Sequence, residues 1–160
     1  MEPDSPLMHN FMAFGRYLEA TLGFRDDAEQ ALDEAIAAAD RAIDLDDPSG
    51  TGHMIKGMIQ LRRRRHDEAL ESADNAFRRR PSCPWVYALR GAVHNYSGRP
   101  EDGVDQARLA IRHTPLVPPA FPAVLATAHY LMGQHDEAID AARGTLELAP
   151  DTLETSVMLA

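Results

Sequence analysis

Seven histidines, one cysteine and a run of four arginines are the side chains with most chemistry to offer. A zinc site needs several His, Cys or carboxylate ligands at set spacing, as in H-E-x-x-H or paired Cys/His motifs. No such spacing occurs. His66 and His135 instead each open the text HDEA, and His94 and His129 stand 35 residues apart. Recurrence at related positions accounts for both pairs without a ligand role. Cys83 lies in a Pro-Ser-Cys-Pro turn, with nothing local to act as base or to lower its pKa. Neither a G-x-S-x-G elbow nor a glycine-rich phosphate loop is present. The Arg62–Arg65 run has two readings, an anion contact or a solvated helix end. Asp67, Glu68 and Glu71 just downstream balance it, and cations suit a helix C-terminus, which favours the second. The residues therefore point to no catalytic, cofactor-binding or metal site.

The elements carrying these side chains follow from a spacing that recurs three times. A small residue is followed twelve residues later by another, then seven later by a third, then five later by proline. The instances are Gly57, Ala69, Ala76, Pro81; Gly91, Gly103, Ala110, Pro115; and Ala126, Ala138, Thr145, Pro150. The period is 34 residues from Gly57 to Gly91 and 35 from Gly91 to Ala126. Such a period, with small residues where two helices cross and proline where the second stops, is the mark of stacked helical hairpins. Glycine weakens a helix by about 1 kcal/mol relative to alanine, so its use at mid-helix implies that close approach outweighs propensity.

Apolar periodicity and breakers place the helices. Met54, Ile55, Met58, Ile59 and Leu61 mark one from Thr51 to about Arg63, and Ala69, Leu70, Ala73, Ala76 and Phe77 mark another from Asp67 to Arg80. Further pairs are expected at Pro84–Ser97 with Pro100–His113, and at Pro119–Met132 with His135–Leu148. Gly98 and Gly133 supply turns, and Pro118, Pro119 and Pro122 delay the start of the helix they precede. Residues 1–48 read as a degenerate copy. Ala35, Ala42 and Pro48 keep the spacing with one extra residue at Asp47, but Gly15 lies 20 residues before Ala35 rather than twelve.

Bulk composition narrows the function classes. The chain has 160 residues and net charge −9, and the charge is lopsided: residues 1–48 hold 12 acids against Arg16, Arg25 and Arg41, whereas the rest balances 13 against 13. An acidic third and a neutral remainder argue against nucleic-acid binding. No run of 18 apolar residues exists, and the acidic start MEPDSPLMHN carries no signal-peptide pattern. With a single cysteine, a cytoplasmic location is expected.

These residues resemble the tetratricopeptide repeat (TPR), whose first helix carries a small residue near its middle and whose second carries two alanines and a terminal proline. The resemblance covers repeats 50–83, 84–118 and 119–152 and an irregular copy at 5–49. The turn texts HDEAL, PEDGV and HDEAI reinforce it. Arg64 stands where a turn glycine is usual, and Thr145 where alanine is usual. The resemblance implies one all-α domain over residues 1–160, a right-handed superhelical solenoid of about four hairpins plus a partial helix at 153–160. The stretches LGFRDDAEQALDEAIAAADRAIDLD and TPLVPPAFPAVLATAHYLMGQHDEAI also look like repeat regions attached to bacterial adenylate or guanylate cyclases and some winged-helix regulators. That likeness implies a non-catalytic regulatory part of a larger bacterial signalling protein.

In TPR proteins the first helices line a concave groove. Its floor would here be Met54, Met58, Leu61, Arg62, Trp85, Ala88, Asn95, Tyr96, Ala123, Thr127 and Tyr130. Met, aromatic and a few polar groups suit an extended peptide or a helix. The Lys/Asn/Arg set by which chaperone-binding relatives grip a terminal carboxylate is missing. A protein-interaction scaffold is therefore expected, and a small-molecule sensor or enzyme using the groove is the competing class. The sequence ends in mid-pattern at Val157, Met158 and Leu159, which suggests a fragment. It also leaves an incompletely covered apolar edge along 135–148, where a homodimer is expected.

Overall fold

The structure, a computed structural model, describes residues 4–148. Among these are eight α-helices and no strands: α1 (Pro6–Thr21), α2 (Ala28–Asp44), α3 (Thr51–Arg62), α4 (His66–Arg79), α5 (Pro84–Tyr96), α6 (Pro100–Arg112), α7 (Ala120–Leu131) and α8 (His135–Leu148). The expected partial helix at 153–160 lies outside the described residues. Two compact units emerge, Met1–Pro81 with α1–α4 and Ser82–Ala160 with α5–α8.

Local chemistry explains the boundaries. Ser5 caps α1 by accepting from the Met8 N–H, and Asp27 caps α2 by accepting from the Gln30 N–H. Pro84 and Pro100 sit in first turns, where no N–H is needed. Before Pro81, Arg80 leaves the helical region at φ −139° and ends α4. Three hairpin turns use a left-handed glycine, Gly23, Gly98 and Gly133, and the fourth places Arg64 there at φ 59°. The arginine that departs from the usual turn glycine thus adopts glycine's backbone, at a cost of about 1–2 kcal/mol.

The first unit buries Ala13, Ala20, Leu32, Ala35, Ile55 and Ile59 in one cluster. Small residues do let helices approach, as at Gly91 and Gly103, where a Cβ on either would lie 3.2 Å from the other's carbonyl oxygen. Gly15 behaves otherwise. A Cβ there meets nothing within 4 Å, and Ala13 and Ala20 supply the buried small surface of α1. The irregular spacing of the first copy has this cause: its crossing residues are alanines, not Gly15.

Candidate protein-binding surface

In the second unit, α5 and α7 pack side by side. The Asn95 side chain donates from Nδ2 to the Val124 carbonyl at 2.9 Å, and Trp85 meets Phe121 edge-on with ring centroids 5.0 Å apart. Phe121 is fully buried with Ala88 and Ala110, which fixes the base of the Trp85 ring. Trp85 itself stays exposed, as do Tyr96 at the other end of α5 and Tyr130 on α7. Ala123 and Thr127 lie partly exposed about two turns and one turn, respectively, before Tyr130. The Thr127 hydroxyl donates back to the Ala123 carbonyl at 2.9 Å.

Two residues expected on the groove floor are instead core. Ala88 packs in the Phe121 cluster, and Asn95 is buried with Oδ1 against Gly103, where an added Cβ would lie only 1.8 Å away. Asn95 is a brace between α5 and α7 that uses the space glycine leaves on α6. Membership of a first helix, which is what placed Asn95 on the expected floor, does not distinguish a displayed amide from one buried over a facing glycine.

In the first unit, Met54, Met58 and Leu61 are half-buried along α3, and Arg62 is exposed beside them. Met58 packs on the core cluster with Tyr17. Burial pushes the Tyr17 hydroxyl up, and the nearby Arg62 guanidinium pulls it the other way. The neighbouring arginines are occupied: Arg63 bridges Glu29 and Asp33 of α2, each at 2.8 Å, and Arg65 pairs with Glu68. Within the Arg62–Arg65 run, Arg63 is thus a brace to α2, while Arg62, Arg64 and Arg65 are exposed.

A cleft of about 660 Å³ between α2, α3 and α4 carried no sequence signal. Asp40, Asp44, His53, Lys56, Gln60, Glu68 and Glu71 are among its lining. Lys56 pairs with Asp40 at 2.7 Å, and the Ser72 hydroxyl donates to Gln60 Oε1 at 2.6 Å. Burial lowers the His53 pKa below its ordinary 6.5, helped by Arg79 and Lys56. The volume suits a small ligand, but the polar lining lacks the apolar wall such sites use. Among the described residues no group of three His, Cys, Asp or Glu could hold a metal ion, and no helix is long and apolar enough to cross a membrane.

Comparison with known proteins supports the architecture. No protein-family model matches the sequence, and no curated protein matches it. Solved structures do. TTC0263, a thermophilic TPR protein of Thermus thermophilus, is 20% identical with TM-score 0.75, covering 98% of this chain and 80% of its own. PilW, a widely conserved type IV pilus biogenesis factor, is 15% identical with TM-score 0.69, covering 99% and 69%. MamA is 18% identical with TM-score 0.64, covering 94% and 76%. The fold is that of a TPR solenoid.

Proposed function

We propose that this chain is a non-catalytic protein-interaction module, a cytoplasmic regulatory segment of a larger bacterial signalling protein. It holds a peptide or helix against the outward faces of its first helices. The observation that carries this reading is the exposure of Trp85, Tyr96 and Tyr130 on two helices whose packing is rigidly braced. Large aromatics presented at low conformational cost are what peptide-binding surfaces use for anchoring. The regulatory role rests on the likeness of the stretches 22–46 and 114–139 to cyclase-attached repeats. On the first unit, taken by itself, Met54, Met58, Leu61 and Arg62 present an adaptable, largely apolar surface of their own.

Trp85 is the sole tryptophan, so its emission reports on this surface. Peptides enriched by display selection should shift that emission on titration. Tyr130→Ala should weaken them about tenfold, the loss of one aromatic anchor. Selected peptides that bind wild type and Tyr130→Ala equally would defeat the placement. A metabolite that shifts the emission where no peptide does would favour the sensor class instead.

A further inference from the structure

Helix α1 buries one face through Ala13 and Ala20, yet it carries a second apolar face. At 100° per residue, Leu7, Phe11, Phe14, Leu18 and Leu22 fall within a sector of about 80° running the length of the helix. No charged side chain interrupts them, since Arg16 and Glu19 project elsewhere around the wheel and pair with each other. Leu7 is 57%, Phe11 66%, Phe14 42% and Leu22 60% exposed, and Phe24 just beyond the helix is 75% exposed. A helix facing water should be polar there.

The stripe is close to symmetrical in position about a point between Phe14 and Gly15, with a leucine at each end. Leu7 and Leu22, Phe11 and Leu18, and Phe14 and Gly15 lie symmetrically about the midpoint of the stripe. Two copies laid antiparallel about that midpoint set leucine on leucine, Phe11 on Leu18, and each Phe14 ring over the other copy's Gly15. Within one copy Gly15 has no packing reason, because a Cβ there would meet nothing within 4 Å. Glycine nonetheless weakens the helix relative to alanine. A Phe14 ring arriving from a second copy explains it. Antiparallel pairing also sets the two helix dipoles in opposition, which is favourable. Leu7, Phe11, Phe14 and Leu22, with half-buried Leu18 and with Phe24 beyond the helix, offer about 500 Å² per copy, so a pair that covers all of them buries about 1,000 Å², the lower bound for a specific interface.

We infer that a second copy of this chain docks on the α1 stripe, forming a two-fold antiparallel α1–α1 dimer centred between Phe14 and Gly15. An interface at this lower bound of size is expected to give a weak, reversible dimer, and a dissociation constant between about 1 µM and 1 mM is the range to search. The inference is independent of the aromatic surface on α5 and α7.

Sedimentation of the full chain from about 1 µM to about 1 mM, spanning that affinity, should show monomer converting to dimer. Gly15→Leu is the decisive variant. It fills open space in the monomer, so helical content should be kept, but it blocks the Phe14 ring and should weaken the dimer at least tenfold. Phe11→Glu should do the same by placing a charge in the seam. In a Cys83→Ser background, oxidation of a Leu7→Cys and Leu22→Cys mixture should yield covalent dimer, and neither variant alone should. A wild type that stays monomeric throughout overturns the inference. So does a dimer insensitive to both Gly15→Leu and Phe11→Glu, which would locate the contact elsewhere, such as the 135–148 edge. Cross-linking by Leu7→Cys alone would overturn the antiparallel register.

Discussion

Asp47 is a buried polar residue whose removal the structure makes costly. It is buried between α2 and α3, where its carboxylate accepts from the Ser49 N–H at 2.9 Å, the Ser49 hydroxyl at 2.6 Å and the Gly52 N–H at 3.0 Å. The Gly50 N-cap has no side chain, so Asp47 satisfies the first turn of α3 from outside the helix. Asp47→Ala leaves the Gly52 N–H buried without its partner, while water can replace part of what Ser49 loses. One orphaned buried donor plus the lost charge-assisted bonds amounts to about 2–3 kcal/mol. In a chain of this length that is a drop of about 5–10 °C in Tm, read by circular dichroism at 222 nm. The pH dependence gives a second check. Burial raises the Asp47 pKa, but the bonds from Ser49, Gly52 and Asn10 outweigh it and hold the carboxyl below its ordinary 3.8. A folded-state pKa below the unfolded one adds stability above the ordinary value, lost as pH falls through the folded value. The deficit of Asp47→Ala relative to wild type should therefore be full at pH 7 and shrink below about pH 4. A Tm within 1 °C of wild type at pH 7, or a deficit as large at pH 3 as at pH 7, would refute this account.

Other positions give sharper yes-or-no outcomes. Arg64→Gly should stabilise the chain by about 1 kcal/mol in urea unfolding, because φ 59° suits glycine. Gly52→Ala should destabilise it by about 1–3 kcal/mol, since the new Cβ would sit 2.8 Å from the Ala39 carbonyl oxygen and force α2 and α3 apart. Gly144→Ala, where a Cβ meets nothing within 4 Å, should instead gain about 1 kcal/mol. The His53 ring should titrate below 6.5 by NMR; a midpoint above that value would contradict its burial beside Lys56 and Arg79.

Periodicity alone sufficed for the helical hairpins, because helix phase, proline stops and left-handed turns are local properties written in neighbouring residues. Helices expected at Pro84–Ser97 and His135–Leu148 appear at Pro84–Tyr96 and His135–Leu148 for that reason. Even the extra residue at Asp47 was visible in the spacing, though its purpose was not. Three things needed the tertiary structure. Asn95 and Ala88 lie on a first helix, as groove residues would, but whether a side chain is displayed or buried depends on what the facing helix leaves open, here Gly103 and Phe121. Gly52 carried no repeat signal, because the crossing it serves is with α2 of the preceding hairpin rather than within its own. Gly15 matched the expected residue type and plays no such part, since Ala13 and Ala20 already fill the contact. A pattern of residues determines which faces of a helix are apolar; only the packed neighbours decide which of those faces is covered, and on α1 one remains open.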